Sequence, residues 1–366
     1  MGNEKNVRDL KILYVSHDSL NTGAGVSTYI KNLMNYFKNS QNVSFRNKEN
    51  SSLAPGEYNI NAMNKFNEII YFSPKKLKIF IKRINNADII HDNPFSFSHL
   101  IFLLLYKMFG KKVISTLHSN IEFQGANFKK YLEIYRYVII VNFYSLFTNK
   151  IIFVTNAQKK IIRKFILFKR LFDKKSIVIH NFIESSQILN NTKSSRKLTI
   201  LYVGRLTKYK GFGDLLKLIE LLKGKDIQFN IVGEGELRSL IPNYKNVKYM
   251  GSLSHERLLQ TYKNSTILIS PSYSETFGLV ILEAMAKGLV ILTSDLPAIR
   301  EYFIEKRNGY FFKAGAVKEM ESLILDLKNN SYKIKKISSN NLKDSHKFNE
   351  DKQIPKYKEL YISLIK

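Results

Sequence analysis

Two glutamates lie eight positions apart in the stretch SETFGLVILEAMAKG, which runs from Ser274 to Gly288. Glu275 stands just before an apolar, helix-like segment and Glu283 lies inside it, with Phe277-Gly278 between them. A carboxylate can accept paired hydrogen bonds from hydroxyl groups, and a helix N-terminus attracts an anion. Two carboxylates can also cleave a glycosidic bond. The alternative is an exposed helix with two ordinary glutamates, which would need no such arrangement.

Two cations lie just beyond a predicted strand in the stretch YVGRLTKYKG, from Tyr202 to Gly211. Arg205 and Lys210 follow the end of the strand at Val203, and glycines stand on either side of them. An arginine can bind a diphosphate through a bidentate fork, and a lysine can bind it as a point charge. The pattern predicts a diphosphate-binding clamp, with two solvated surface cations as the alternative.

A glycine-containing turn, TGAGVST, joins the first predicted strand to the first predicted helix. Gly23 and Gly25 would let the backbone approach a ligand, and the start of the helix would offer N–H groups to an anion. The turn lacks the Lys-Ser/Thr ending of a Walker A loop. Such a short motif fits a phosphate site and a plain tight turn about equally well.

One histidine, His118 in VISTLHSN, lies just beyond another predicted strand. Ligands of doubly wound sheets bind at this end of the strands, so a role in a site is one interpretation. The other is a structural histidine, which is the more common case for a lone histidine. No Asp-x-Asp motif lies near these segments, and no two of the strand-ending histidines have a close metal-ligand spacing. We therefore expect no bound divalent metal.

Alternating strands and helices position these residues. Apolar runs rich in β-formers, such as Lys11–Val15 and Leu198–Val203, alternate with helix-like stretches such as Phe128–Phe147. A polar stretch rich in Asn and Ser, over residues 181–195, interrupts the pattern, which then restarts. The pattern predicts two doubly wound α/β units with parallel sheets and a cleft between their carboxyl ends.

The domain boundaries follow from the same pattern. Residues 1–183 are predicted to form the first domain and residues 184–197 a linker. The second domain is predicted over residues 198–345. Residues 346–366 are predicted to form a C-terminal helix that packs back on the first domain.

The composition indicates a folded protein with a polyanionic partner. The chain has 366 residues, 44% of them hydrophobic, and no cysteine, so it forms neither a disulfide nor a thiolate zinc site. Its net charge of +28 predicts a nucleic acid, an anionic membrane or a phosphorylated substrate as partner, although Lys-, Asn- and Ile-rich composition explains part of the excess. The N-terminus lacks an apolar signal sequence and the apolar runs are too short to span a bilayer, which predicts a cytoplasmic protein.

Two segments of the first half mix basic and apolar residues: YKMFGKK at Tyr106–Lys112 and KKIIRKFILFKRLFDKK at Lys159–Lys175. The second predicts a basic amphipathic helix, with Ile, Leu and Phe along a broad face. Such a helix can lie in an anionic interface, which predicts peripheral attachment to the inner face of the plasma membrane. The alternative is a core helix with a solvated basic rim.

Taken together, these motifs resemble those of the family-4 retaining glycosyltransferases, the glycosyl transferases group 1, over nearly the whole chain. PSYSETFGLVILEAMAKG is similar to the family's Glu-x7-Glu signature, and VGRLTKYKG to its Arg/Lys diphosphate clamp. The chain departs from the family at Ala24, where glycine is usual, and at Asn181-Phe182, where Asn-Gly is usual. The resemblance implies the GT-B fold, in which two Rossmann-like doubly wound domains face each other across a cleft.

The resemblance also implies a role for each candidate residue. Glu283 would bind the ribose hydroxyls of a nucleotide sugar, Glu275 would lie beside the sugar and the diphosphate, and His118 near the donor sugar and the acceptor. No metal ion and no cofactor beyond the nucleotide-sugar substrate are implied. The implied catalytic set is His118, Glu275, Arg205 and Lys210. The implied donor-binding set is Gly23, Gly25, Arg205, Lys210, Glu275, Thr276, Phe277, Gly278, Leu279 and Glu283.

The implied activity is a retaining transfer of a sugar from a nucleotide-diphosphate donor to a lipid-linked glycan, in the assembly of a bacterial surface polysaccharide such as a capsule or O-antigen. A soluble or protein acceptor is the alternative within this activity. A glycoside hydrolase would not need the clamp and fits the motifs poorly, whereas a phosphorylase or sugar-phosphate synthase on the same fold is a closer alternative. A nucleic-acid-binding protein is the alternative from another class. Charge alone favours it, and the sequence contains no recognised nucleic-acid module, so we expect no nucleic-acid partner.

Overall fold

The computed structural model describes residues 10–18, 20, 25–46, 53–60, 73–94, 98–118, 128–188 and 198–365. Residues 189–197 of the predicted linker therefore lie outside the described part. The chain forms two compact units. The first comprises Met1–Asn181 together with Asp351–Lys366, and the second comprises Phe182–Glu350.

The first unit is built on a parallel sheet. Its strands are β1 (Ile12–Asp18), β2 (Gln41–Arg46), β3 (Glu57–Asn59), β4 (Ile89–Asp92), β5 (Lys112–Leu117), β6 (Lys150–Phe153) and β7 (Ser176–Val178). They pair in the order β3-β2-β1-β4-β5-β6-β7. The chain runs outwards from β1 to β3 and then returns to β4 on the other side of β1. This reversal is a topological switch point, beyond which doubly wound sheets bind ligands.

Helices cover this sheet: α1 (Gly25–Tyr36), α2 (Pro74–Asn86), α3 (Ser98–Met108), α4 (Phe128–Phe147), α5 (Asn156–Arg163) and α6 (Lys169–Lys175). Successive side chains of a strand point to opposite faces of the sheet. Leu13 and Val15 of β1 lie in a buried core with Phe80 of α2, Phe102 of α3 and Tyr144 of α4. This core holds α2, α3 and α4 on one face of the sheet.

The second unit repeats the plan. Its strands are β8 (Thr199–Val203), β9 (Gln228–Val232), β10 (Val247–Tyr249), β11 (Ile267–Ser270), β12 (Val290–Ser294) and β13 (Gly309–Phe312). They form a parallel sheet in the order β10-β9-β8-β11-β12-β13, so the order reverses between β8 and β11. Its helices are α7 (Phe212–Leu221), α8 (His255–Lys263), α9 (Leu279–Ala286), α10 (Val317–Lys328) and α11 (Ser331–Ser345).

The helix α9 lies in the interior of the second unit. Apart from Glu283, its sequence LVILEAMA is apolar on all sides, and a helix of this kind must be covered all round. It packs against β11, β12 and α11, and residues 281–286 are buried. Glu283 therefore lies in the protein interior, and the alternative of an exposed helix with ordinary glutamates is wrong.

The last helix, α12 (Glu350–Ile365), packs on the face of the first sheet that Tyr14 occupies. The hydroxyl of Tyr361 lies 2.7 Å from Nδ1 of His91 and 3.3 Å from the hydroxyl of Tyr14. Tyr357 donates a hydrogen bond of 3.1 Å to the hydroxyl of Tyr29. All five side chains are buried. Because each of these polar groups has a partner, burial costs them little.

The structure confirms the predicted doubly wound α/β architecture. The continuous helix predicted over Lys159–Lys175 is wrong, because α5 ends at Arg163 and α6 begins at Lys169. The side chain of Asn142 in α4 accounts for the break. It accepts a hydrogen bond of 2.8 Å from the N–H of Leu167 and donates one of 2.9 Å to the carbonyl of Phe165. These backbone groups bond to α4 in place of a continuing helix.

Candidate functional site

The candidate residues of the second unit lie at its topological switch point. Arg205 and Lys210 follow β8, and Glu275 follows β11. Because β8 and β11 are neighbouring parallel strands, the segments beyond their carboxyl ends meet at one edge of the sheet. The structure thus brings together Lys210 and Glu275, which are 65 positions apart in sequence.

An ion pair joins these two segments. Nζ of Lys210 donates a hydrogen bond of 2.7 Å to Oε1 of Glu275, and the hydroxyl of Ser272 donates one of 2.9 Å to the same oxygen. The side chains of Lys210 and Glu275 are 20% and 17% exposed. A charge-assisted hydrogen bond with this partial burial is stronger than one between fully solvated groups. Glu275 therefore orients the Lys210 ammonium group while leaving it accessible.

Backbone packing fixes the distance between the two segments. Gly211 has a φ of +67°, and a Cβ there would lie 1.9 Å from the carbonyl oxygen of Pro271, so only glycine fits. The N–H of Tyr273 donates a hydrogen bond of 3.1 Å to the carbonyl of Tyr209. The position of the Lys210 side chain thus rests on direct contact between two backbones.

Tyr202 belongs to the site although its sequence context did not single it out. Its hydroxyl donates a hydrogen bond of 2.8 Å to the carbonyl of Arg205 and lies 3.4 Å from the carbonyl of Lys210. Burial and the Glu275 carboxylate raise the pKa of Tyr202, and Arg205 lowers it. Both charged side chains therefore act on its hydroxyl. A tyrosine near the end of a buried strand is the signal that could have identified it.

The start of α9 is built around Gly278. This residue has a φ of +80°, and a Cβ there would lie 2.9 Å from Cδ1 of Ile299. The hydroxyl of Tyr302 donates a hydrogen bond of 2.7 Å to the carbonyl of Phe277 and lies 3.3 Å from that of Gly278. A glycine at the cap leaves no side chain over the first N–H groups of the helix, which therefore favour an anion.

Phe277 contributes to packing through its side chain. It is 2% exposed, and its ring stacks on Tyr302 with 5.1 Å between centroids. Only the backbone of Phe277 is therefore placed to contact a donor. The neighbouring side chains of Thr276 and Leu279 are half-buried.

Glu283 is 7% exposed, and the hydroxyl of Tyr262 in α8 donates a hydrogen bond of 2.9 Å to its Oε2. Burial raises the pKa of Glu283 to about 7, an effect that Tyr262 and Lys287 partly offset. The carboxyl group therefore changes its charge near neutral pH. Once ionised, it can accept strong hydrogen bonds from ligand hydroxyls.

His118 lies at the end of β5 in the first unit and is half-buried. Its Nε2 lies 3.0 Å from Oδ1 of Asn93. The amide nitrogen of Asn93 donates to the carbonyl of Val15 at 3.1 Å, so its oxygen accepts from His118. Burial lowers the pKa of His118 to about 3, which leaves the ring neutral at physiological pH. A neutral imidazole in a fixed tautomer is suited to hydrogen bonding with a polar ligand.

The glycine turn of the first unit is described only in part. Gly25 begins α1 and is exposed, whereas Gly23 lies outside the described residues. A Cβ at Gly25 would meet nothing within 4 Å in the described part of the chain, so packing there does not demand glycine. The donor-binding role of this turn stays a prediction.

The described ranges contain neither a metal-binding cluster nor a membrane-spanning helix. No group of three or more His, Cys, Asp or Glu side chains within them is placed to hold a metal ion. No helix within them is both long enough and apolar enough to cross a bilayer. Metal independence itself stays a prediction.

The second unit matches a known family. The family model described as "Glycosyl transferases group 1" matches residues 185–344, which include the clamp and both glutamates. The chain is a glycosyltransferase, and its second unit belongs to group 1 of these enzymes. The family resemblance inferred from the motifs is thereby confirmed.

Relatives of this glycosyltransferase extend the match over nearly the whole chain. An uncharacterized glycosyltransferase of Methanocaldococcus jannaschii is 24% identical over 358 residues, which are 93% of this chain and 95% of that protein. The GtfA subunit of a UDP-N-acetylglucosamine–peptide N-acetylglucosaminyltransferase of Streptococcus pneumoniae is 24% identical over 266 residues, 68% of this chain and 51% of that one. The crystal structure of Anabaena HepE in complex with UDP-glucose superposes with a TM-score of 0.78 at 16% identity and covers 97% of this chain and 100% of that one. The GT-B fold of the glycosyltransferase is thus confirmed.

Proposed function

We propose that this glycosyltransferase takes its sugar from a nucleoside-diphosphate donor bound by the second unit. The observation that carries the proposal is the Lys210–Glu275 pair at the switch point, just before the glycine-capped start of α9. A cation and a helix N-terminus both favour a diphosphate. The presence of UDP-glucose in the Anabaena structure supports a donor of this class.

Each charged residue has its own proposed role. The diphosphate would share the Lys210 ammonium group with Glu275, and the exposed Arg205 would add a second cation. Glu283 would accept hydrogen bonds from the ribose hydroxyls while Tyr262 holds its Oε2. As the bond between the sugar and the diphosphate breaks, the two cations and the start of α9 neutralise the leaving group. The proposed reaction therefore needs no metal ion.

The proposed transfer retains the configuration of the sugar, as in the family that the motifs resemble. The acceptor hydroxyl would attack an oxocarbenium-like sugar from the face on which the diphosphate leaves, and its proton would pass to the departing diphosphate oxygen. We assign Glu275 a binding role, because its carboxylate is already engaged by Lys210 and Ser272. His118, held neutral beside Asn93, would position the donor sugar and the acceptor.

The proposed acceptor is a lipid-linked glycan of bacterial surface polysaccharide assembly, which places the enzyme on the inner membrane face. The many lysines and arginines of the segment Lys159–Lys175 in the first unit support a membrane-borne acceptor. A protein or soluble acceptor is the second candidate. Similarity to a subunit of a peptide N-acetylglucosaminyltransferase favours it.

Turnover measurements test this proposal. The enzyme is incubated with UDP-, GDP- and ADP-sugars and either a lipid-linked or a soluble glycan, and nucleoside diphosphate release is followed. We expect release to depend on the acceptor, and NMR to show the donor's anomeric configuration in the product. Sugar phosphate formed from inorganic phosphate would indicate a phosphorylase instead. Free sugar released from a glycan, without nucleotide, would indicate a hydrolase.

A further inference from the structure

The outer surface of α3 is apolar where a surface helix is normally polar. Ile101, Leu104 and Met108 are 68%, 45% and 83% exposed. Their spacing of three and four positions places them along one stripe of the helix. The opposite side of α3, including Phe102 and Tyr106, is buried in the core. The helix therefore presents an apolar stripe to solvent in addition to the one it buries.

A second apolar projection lies in the break between α5 and α6. Leu167 and Phe168 are 79% and 56% exposed. The side chain of Asn142 fixes the backbone of this break to α4 through its hydrogen bonds to Phe165 and Leu167. The two apolar side chains are thus presented to solvent on a fixed backbone.

The helix α4 links these two features. It packs against both α3 and α6. Nζ of Lys175, at the end of α6, donates hydrogen bonds to the carbonyls of Ser145 and Leu146 near the end of α4. Burial and, to a lesser extent, the positive charge of Lys107 in α3 lower the pKa of Lys175. Leu146 is itself 38% exposed.

The segments that carry these side chains are strongly basic. Residues 98–118 and 128–175 contain fifteen lysines and arginines but only two acidic residues, Glu133 and Asp173. Asp173 is engaged by Arg163 through hydrogen bonds of 2.7 to 3.0 Å. Apolar side chains within a field of cations are complementary to an anionic lipid bilayer, whose headgroups bind the cations while its acyl region accepts the apolar tips. A second copy of the chain, with the same charge of +28, would be repelled.

We propose that this face docks the enzyme on an anionic lipid bilayer. The apolar-basic face is defined by its exposed apolar side chains: Ile101, Leu104, Met108, Leu146, Leu167 and Phe168. Leu167 and Phe168 are the insertion points, and the surrounding lysines and arginines supply the attraction. The inference rests on the proposed function, which puts the acceptor in a membrane, and it names the surface that would bring the enzyme there.

Flotation with sealed vesicles tests the proposal. Vesicles of phosphatidylcholine alone and with 30% phosphatidylglycerol are compared at low and high salt. We expect the wild type to float with the anionic vesicles at low salt and to be released at high salt. The double variant Leu167→Ser/Phe168→Ser should partition at least roughly tenfold more weakly. The control Ile304→Ser/Tyr332→Ser removes two exposed apolar side chains of the second unit and should float like the wild type.

Two outcomes would overturn the proposal: no flotation of the wild type with anionic vesicles at low salt, or equal flotation of the Leu167/Phe168 variant and the wild type. Concentration-dependent dimers that the Leu167/Phe168 variant abolishes would reassign the face to self-association. Protection of each protein by nucleotide sugars is measured in the same buffers without vesicles. If nucleotide sugars protect the wild type but it does not float with anionic vesicles, the docking face alone is rejected. If the wild type floats but no nucleotide sugar protects it, the donor site alone is rejected.

Discussion

Lys210 and Glu275 form an ion pair of 2.7 Å between the two segments that leave neighbouring strands of the second sheet. The pair lies at the switch point, where the backbones of these segments are in contact. A lysine held in this way is preorganised, because its position does not depend on the ligand. We therefore place the pair at the centre of the donor site.

Removal of the Lys210 charge should impair catalysis without unfolding the protein. Losing one charged contact to a bound diphosphate costs about 1.5–3 kcal/mol, so Lys210→Ala should lower kcat/KM by roughly ten- to a hundredfold. The control is Lys217→Ala, which removes an exposed cation from α7. Wild-type kinetics in Lys210→Ala, with a normal unfolding transition, would remove Lys210 from the donor site.

Donor affinity should depend on pH through Glu283. Burial raises the pKa of Glu283 to about 7, and the ribose hydroxyls need the ionised carboxylate. Affinity for the nucleotide should therefore fall as the pH drops below 7, approaching roughly tenfold per pH unit. Calorimetric titration of the wild type and Glu283→Gln between pH 5.5 and 8.5 measures this. The variant should bind weakly and lack this pH dependence, whereas identical pH profiles would argue against contact between Glu283 and the donor.

The same carboxyl group has an opposite effect on the stability of the ligand-free protein. Between the ordinary value of 4.5 and about 7, folded Glu283 holds a proton that the unfolded chain releases. Its contribution to the free energy of unfolding therefore decreases as the pH rises through this window. Glu283→Gln should remove that part of the pH dependence.

The reaction should proceed without a divalent metal. Lys210, Arg205 and the start of α9 are proposed to supply the charge that a metal ion provides in other transferases. Turnover should therefore be unchanged after treatment with EDTA and gel filtration. Loss of turnover that magnesium or manganese restores would contradict this mechanism.

The turn before α9 should tolerate only glycine. At Gly278 the φ of +80° alone costs an L-residue about 1–2 kcal/mol, and a Cβ would also crowd Ile299. Gly278→Ala should therefore lower the free energy of unfolding by at least about 1 kcal/mol in denaturant titrations. The matched control is Gly213→Ala in α7, where a Cβ meets nothing within 4 Å and helix propensity improves. Equal stability of the two variants would contradict the described turn.

Much of the fold could be predicted because its signals are local. Buried parallel strands such as β8, with the sequence TILYV, are short apolar runs, and their alternation with helices defines a doubly wound sheet. The spacing of Glu275 and Glu283 is likewise local. These features can be recognised in the sequence because each depends only on residues that are close together in the chain.

Contacts between distant residues could not be predicted in this way. Tyr262 holds Glu283 from a different helix, and Tyr302 fixes the turn at Gly278 from 24 positions away. The break between α5 and α6 depends on Asn142, which competes for backbone groups that helical periodicity would assign to a continuous helix. Such pairings depend on the packing of whole elements and leave no periodic signal in the sequence.

Thermal unfolding with a panel of UDP-, GDP- and ADP-sugars tests the donor site most directly. A ligand at ~100 times its Kd stabilises the folded state by roughly 2.7 kcal/mol. We expect that at least one nucleotide sugar raises the Tm of the wild type. The same concentration should raise the Tm of Lys210→Ala and of Glu283→Gln much less. Protection by none of the sugars, or equal protection of the wild type and both variants, would contradict a donor site built on Lys210, Glu275 and Glu283.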